Sequence, residues 1–362
     1  PDNILSEIRE IDIGFLNEGE LSFVSLVGYQ NGSKNVDELS MTYIRSNHNE
    51  FIKIDIDGRP KHLDLEIIPA YELIKVDEYS KYGTIGSWSA FRENIKIGTV
   101  LSNRGCRAQC TFCNVRVFNG VGVRQRSIDS VIEELSLLKS RYGIDHISWL
   151  DDDLLKDEKR AIELFNLMVS KKLQSSWDAT NGLIAHSLTK DGVVEAMDNS
   201  GRIGCYIGIE SGNREILQKI KKPGTIETFL EASEKLNQFQ NINGRGFLII
   251  GFPNESISNI FDTINLAEEM KLAWYNLTIL QPWKKTPIYD LMTETNLVGK
   301  KEGQLNFAIE KENPLMDDMK SGEEIEKANN KISAKDPTYH IGEFSLQRKI
   351  EKEGKIVKPF KK

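Results

Sequence analysis

Ile95-Lys96-Ile97-Gly98-Thr99-Val100-Leu101 runs straight into Ser102-Asn103-Arg104-Gly105-Cys106-Arg107-Ala108-Gln109-Cys110-Thr111-Phe112-Cys113-Asn114. The first stretch reads as a short buried strand, bounded by turn-forming residues. The second reads as a loop that sets three cysteines within eight residues, at the spacing C-x-x-x-C-x-x-C. Five further strand candidates follow: His146–Leu150, Ser176–Thr180, Ile203–Ile209, Arg245–Ile250 and Trp274–Leu280. Between them lie stretches with apolar residues at a 3.6-residue period. The clearest has Ile128, Val131, Ile132, Leu135 and Leu138 on one face, with Ser127 as its N-cap. Ala161–Met168, Asp191–Met197, Ile226–Leu236 and Ile257–Met270 follow the same pattern. Strands that alternate with helices imply an α/β fold with a parallel sheet and helices outside. A partial (β/α)6 TIM-like barrel fits, and its functional residues belong at the C-terminal ends of the strands.

Outside this array the chain divides by composition. Residues 1–75 offer one short strand (Ile11–Leu16), one helix (Leu21–Tyr29) and an alternating segment, Ile52–Asp57, that ends in the hairpin signal Asp57-Gly58. Residues 76–94, with Gly83, Gly86 and several serines, read as a linker before a core at 95–290. Residues 291–362 are rich in Lys and Glu, and Lys355–Lys362 reads as a frayed basic tail. The 47 Lys+Arg against 54 Asp+Glu give a net charge of −7. That balance argues against nucleic acid as the main partner, because tracking a phosphate backbone requires excess positive charge. No stretch is long and apolar enough for a membrane span, and no signal peptide is visible, so the expectation is a cytoplasmic protein.

Four cysteines, three of them clustered, do not make a disulfide framework. Thiolates at this spacing can wrap one side of an iron–sulfur cubane, which normally takes four such ligands. Zinc is the alternative, but it needs a fourth donor nearby, and none of the five histidines is close in sequence. On Cys106, Cys110 and Cys113, in a loop directly after the first strand, the chain resembles the radical S-adenosylmethionine (SAM) superfamily. The resemblance implies that these three cysteines hold a 4Fe–4S cluster. It implies that the open iron chelates the amino and carboxylate groups of SAM, and that the reduced cluster cleaves SAM to a 5′-deoxyadenosyl radical. Phe112 matches the family position that packs near the adenine.

Further segments extend the resemblance over about residues 60–290. Trp149-Leu150-Asp151-Asp152-Asp153 resembles the Asp-Asp pattern of cobalamin-associated members, which implies Asp152 or Asp153 as a partner of the SAM ammonium. Capping of the next helix is the competing account. Gly208-Ile209-Glu210-Ser211-Gly212 resembles the family's Gly-x-Glu-Ser-Gly segment, which implies that Glu210 and Ser211 approach the ribose or the methionine moiety. Gly246–Glu255 resembles the fifth-strand motif beside the adenine, with Ile249, Ile250 and Gly251 as candidate contacts. Pro282–Tyr289 resembles the closing Pro-Gly-Thr-Pro-Leu-Tyr stretch, with Lys285 where glycine is expected. Cys205 reads as core, His146 as structural, and the Lys219–Lys222 run as a solvated helix end. Arg124 and Arg126 suit either an anionic group of SAM or substrate, or a surface role.

Residues 10–75 resemble the end of a Rossmann-like cobalamin-binding domain, through Asn17-Glu18-Gly19-Glu20 and Asp64–Tyr71. The first half of such a domain, and its Asp-x-His-x-x-Gly motif, are not found in this sequence. A truncated copy, an excerpt and a natural variant without cobalamin are all open. The expected function is a radical SAM enzyme, with cobalamin-associated methyl transfer to an unactivated centre of a small-molecule substrate. Cobalamin-independent rearrangement, cyclisation or methylthiolation is the alternative, followed by a non-catalytic zinc or cluster module. The resemblance also implies an electron donor such as flavodoxin or ferredoxin.

Overall fold

Alternation of side chains along parallel strands sets the architecture. The computed structural model describes residues 2–46, 50–65, 68–82, 95–173, 176–295, 297 and 343–344. The chain opens with α1 (Asp2–Glu7), β1 (Ile13–Phe15), α2 (Glu20–Gln30), β2 (Thr42–Arg45) and β3 (Phe51–Ile54). The three strands form a small antiparallel sheet in the order β1-β2-β3. The hairpin expected at Asp57-Gly58 is not there. The hairpin lies upstream and joins β2 to β3, while Asp57 accepts hydrogen bonds from the Arg59 backbone and side chain. Asp-Gly makes a hairpin only when strands flank it on both sides. Here the partner is Thr42-Tyr43-Ile44-Arg45, a β-prone run that the sequence reading passed over.

The expected linker begins as α3 (Val76–Tyr82); its remainder, 83–94, lies outside the described residues. The core then follows in order: β4 (Ile97–Val100), β5 (Asn103–Cys106), α4 (Val115–Asn119), β6 (Gly122–Gln125), α5 (Ile128–Tyr142), β7 (His146–Trp149), α6 (Glu158–Ser170) and β8 (Ser176–Leu183). It continues through α7 (Ala185–Leu188), α8 (Val193–Asn199), β9 (Arg202–Glu210), α9 (Arg214–Lys219), α10 (Ile226–Asn237), β10 (Ile242–Ile250), α11 (Ile257–Met270), β11 (Trp274–Ile279) and α12 (Pro287–Glu294). Strands β4, β7, β8, β9, β10 and β11 lie side by side in sequence order, all parallel. Among the described residues β4 and β11 do not pair, so the sheet is an open, partial TIM-like barrel. A two-residue strand, β12 (Glu343–Phe344), adds antiparallel to β11. The rest of the expected C-terminal tail, including Lys355–Lys362, lies outside the described residues.

The helices start where local chemistry allows. Ser127, Asp157, Thr225, Ser256 and Thr286 each accept a backbone N–H at the start of α5, α6, α10, α11 and α12. One face of the sheet packs on these helices: Ile147, Trp149, Trp177, Ile203, Cys205 and Ile207 are buried in one apolar core, where Phe165 of α6 stacks on Trp177 at 5.1 Å. The opposite face is polar. His146 meets Ser176 Oγ at 2.9 Å and Asp178 at 3.2 Å, Ser148 donates to Asp178, and Arg245 lies over the Tyr206 ring. His146 and Cys205 are therefore interior structural residues, as read. Among the described residues no helix is long and apolar enough to cross a membrane.

Candidate functional site

The C-terminal ends of β7, β8 and β9, with Phe247 near the end of β10, converge on one cleft, together with the loop that leaves β5. Cys106, Cys110, Phe112 and Cys113 line it from the loop, Asp152 from the end of β7, Asn181–Ile184 from β8, Gly208 and Glu210 from β9, Lys222 from beyond α9, and Phe247 from β10. The loop is not a plain connection. β5 and β6 form an antiparallel hairpin around it, in which Gly105 and Gly122 touch so closely that a Cβ on Gly105 would stand 2.3 Å from the Gly122 carbonyl. Thr111 fastens the loop at both backbone groups: its N–H donates to the Ile220 carbonyl at 2.9 Å, and its carbonyl accepts from Ile288 at 3.1 Å.

All three clefted cysteines are free thiols. Burial pushes Cys106 up to about 12 and Cys110 up to about 11, and raises Cys113. Such thiols become thiolates only when a cation takes the place of the proton. Ala108 N–H donates to Cys106 Sγ at 3.4 Å, the kind of bond that also favours a ligating sulfur. Cys205 faces the helices and is fully buried, so it adds no fourth donor. Among the described residues no three His, Cys, Asp or Glu side chains converge on one ion position. Three soft thiol donors that line one cleft suit an iron–sulfur group.

The three aspartates after β7 separate into three roles. Asp151 is buried and accepts from the Ser102 N–H at 2.9 Å and the Ser102 hydroxyl. Asp153 is buried against Arg107, 3.1 Å away, and so ties the cysteine loop to the end of β7 without lining the cleft. Asp152 alone lines the cleft, held by Asn119 Nδ2 at 2.9 Å. None of the three caps the next helix; Asp157 does. Burial raises the Asp151 carboxyl from 3.8 to about 6. The folded state therefore holds that proton more tightly than the unfolded chain, and stability falls as pH rises through this window. Relative to Asp151→Asn, the wild type is expected to lose urea resistance between pH 3.8 and about pH 6, and to show a constant difference above it.

Glu210 sits at φ +68°, a left-handed conformation that is strained for a side-chain residue. The β9–β10 register shifts at this point, from Phe247 opposite Gly208 to Leu248 opposite Glu210. The strained turn aims Glu210 into the cleft, where Lys222 Nζ donates to its Oε1 at 2.7 Å; each side chain is only 9 % exposed. Burial pushes the Lys222 ammonium down, but Glu210 and the nearby thiols outweigh it and the net direction is up. Reading Lys222 as part of a solvated helix end is thus wrong. Lys221 takes a left-handed φ of +53°, and Lys222 N–H closes back to the Leu217 carbonyl at 3.0 Å. That C-cap reverses the chain and folds Lys222 over the cleft. Gly208 leaves the room for it, since a Cβ there would stand 2.5 Å from Lys222 Nζ.

Of the other candidates from the sequence, Phe112 lines the cleft and the rest fall outside it. Ser211 is buried, 3.3 Å from Thr263 Oγ1, and accepts from Asn213 N–H. Gly212 packs on α11: a Cβ would stand 2.3 Å from the Asp262 carbonyl oxygen and 2.6 Å from Thr263 Cα, both backbone atoms. Gly212→Ala is accordingly expected to cost at least about 1–3 kcal/mol, measured by chemical unfolding, because backbone cannot rotate away. Ile250 ends β10 and Gly251 follows it, neither lining the cleft, and Gly251 N–H donates to Glu255 at 2.6 Å. Phe112 lines the cleft with its ring 5.9 Å from that of Phe252. Arg124 pairs with Glu18 and Arg126 with Glu134, so neither reaches the cleft.

The model of the radical SAM superfamily matches residues 100–267. An uncharacterised methyltransferase of Pyrococcus horikoshii is 29% identical over 304 residues, covering 82% of this chain and 61% of the relative. Cytidylyl-2-hydroxyethylphosphonate methyltransferase of Streptomyces wedmorensis is 28% identical over 286 residues, covering 72% of this chain and 52% of the relative. This chain therefore spans between half and two thirds of these relatives. Among solved structures, the radical SAM methyltransferase TsrM of Kitasatospora setae, with tryptophan and a SAM analogue bound, superposes with a TM-score of 0.64 at 14% identity, over 80% of this chain and 55% of TsrM. OxsB, a cobalamin-dependent SAM radical enzyme with aqua-cobalamin and SAM bound, superposes at 0.56 with 18% identity, over 77% and 39%. At these identities the structural likeness is one of fold. Residues 100–267, with the cysteine loop after β4 and the parallel βα array behind it, form a radical SAM domain.

Proposed function

We propose that Cys106, Cys110 and Cys113 hold a 4Fe–4S cluster, that SAM binds beside it in the same cleft, and that the chain serves methyl transfer to a small-molecule substrate. One observation carries this reading: three thiols, one carboxylate from β7 (Asp152) and one buried carboxylate–ammonium pair (Glu210–Lys222) face a single cleft at the C-terminal ends of the strands. When bound, the reduced cluster supplies the electron that breaks a sulfonium bond of SAM.

The protein's own groups do the positioning. SAM presents an ammonium, a carboxylate, a ribose and an adenine. Asp152 is placed to accept from the ammonium, and Lys222 to meet the carboxylate, as charge-assisted bonds. Glu210 then keeps a second acceptor edge for the ribose while holding Lys222 in place. Phe112 and Phe247 give the adenine apolar surface, which also keeps water off the reacting centre. Orientation decides which C–S bond breaks and where the radical is aimed.

Cobalamin is proposed as a further cofactor because OxsB binds it; the segment before residue 75 is the part that would face it. A flavodoxin or ferredoxin is proposed as electron donor. Anaerobic reconstitution with iron and sulfide, then SAM and dithionite, with and without hydroxocobalamin, tests the reading. Formation of 5′-deoxyadenosine is expected, and cobalamin-dependent S-adenosylhomocysteine marks methyl transfer. A cluster-loaded, folded chain that yields neither product, even with dithionite in excess, overturns the proposal of SAM cleavage.

A further inference from the structure

Glu18 is a carboxylate far from the cleft in sequence and buried at a junction. It lies in the turn between β1 and α2, with a side chain only 2 % exposed. Its Oε2 accepts from Arg104 Nη1 at 2.9 Å and from Arg124 Nη1 at 3.0 Å, and its Oε1 accepts from Arg124 Nη2. Those two arginines are direct cross-strand partners in the β5–β6 hairpin. Like charges directly opposite each other repel, so the hairpin as built requires an anion between them. The N-terminal unit supplies that anion. It adds Glu20 on Arg104 at 2.7 Å, the Pro60 carbonyl on Arg124 at 2.6 Å, and Arg59 donating to the Phe118 carbonyl at 3.1 Å.

The same hairpin carries the first cysteine. Cys106 is the last residue of β5, two positions after Arg104, and it pairs with Gly122. We propose that Glu18 is a positioning residue for the cluster: it couples the N-terminal unit to the cysteine loop, so that filling the loop stiffens the N-terminal turn and loosening the turn releases the cluster. This rests on the reading that Cys106 is a cluster ligand. Reciprocity follows from linkage: if loading favours one hairpin geometry, whatever holds that geometry favours loading.

Hydrogen exchange of the whole chain, apo and reconstituted, tests it alongside iron analysis. On loading, amides of 16–26 should slow several-fold together with those of 103–106 and 122–125, while α10 stays unchanged. In Glu18→Gln the slowing of 16–26 should vanish, and loss of iron to a chelator should quicken by about 10–100-fold, the range for groups that orient metal ligands. Arg124→Lys keeps the charge but loses the forked contact, and should quicken iron loss in the same direction. Glu227→Gln, which breaks an exposed ion pair with Arg214, should change neither reading. If loading leaves 16–26 unchanged in the wild type, the coupling is refuted whether or not the variants fold. Folded Glu18→Gln with wild-type iron loss refutes it equally. Wild-type chain that takes up no iron is a separate result: it removes the cluster reading itself, and this inference with it.

Discussion

Cys106→Ala, Cys110→Ala and Cys113→Ala will each remove the iron–sulfur absorbance of the reconstituted chain and abolish 5′-deoxyadenosine formation, while Cys205→Ala will do neither. The contrast comes from placement. The first three thiols share one cleft and are partly open to it, whereas Cys205 is fully buried against the helices. Groups that merely orient a metal ligand are worth about 10–100-fold, so loss of a ligand should exceed that range. Backbone damage is not expected, because the loop is held by Thr111 and the Arg107–Asp153 pair independently of the thiols. Iron and sulfide content with circular dichroism on the same samples checks both halves. Retained SAM cleavage by Cys110→Ala would remove the assignment of the loop.

The second large effect concerns the Glu210–Lys222 pair. Both side chains are 9 % exposed, so truncating one leaves the other charged and desolvated. Lys222→Met or Glu210→Leu alone should lower the stability of the apo chain by about 3–5 kcal/mol, and the double variant should recover most of that loss. Function should separate from stability. The double variant, though folded, should bind SAM about 10–100-fold more weakly, as expected when a charge-assisted hydrogen bond worth about 1.5–3 kcal/mol is lost. Urea unfolding and equilibrium SAM binding on the four proteins test this. A double variant with wild-type SAM affinity would confine the pair to a structural role.

Much of the fold is legible in the sequence because its signals are local. Ser127 and the spacing of Val131, Ile132, Leu135 and Leu138 locate α5, and the β-branched runs locate the parallel strands to within a few residues. The cysteine loop is legible because ligand spacing is itself local. The rest depends on contacts that no period encodes. β2 needed its partners, and the turn at Asp57-Gly58 had strand on one side only. Trp149-Leu150-Asp151-Asp152-Asp153 shows three carboxylates in a row, yet only tertiary structure sends Asp151 to Ser102, Asp152 to the cleft and Asp153 to Arg107. Lys222 was hidden as one of three lysines within four residues, and what distinguishes it is a left-handed turn at Lys221. Glu18 likewise becomes meaningful only once Arg104 and Arg124 are seen opposite each other.

The most direct measurement is electron paramagnetic resonance of the anaerobically reconstituted, dithionite-reduced chain, with and without SAM. A reduced 4Fe–4S signal that changes on addition of SAM is expected, because under the proposed function SAM would bind beside the cluster in the cleft that Asp152 and Lys222 line. A signal indifferent to saturating SAM, or well-folded protein that holds stoichiometric zinc and no iron, would contradict it.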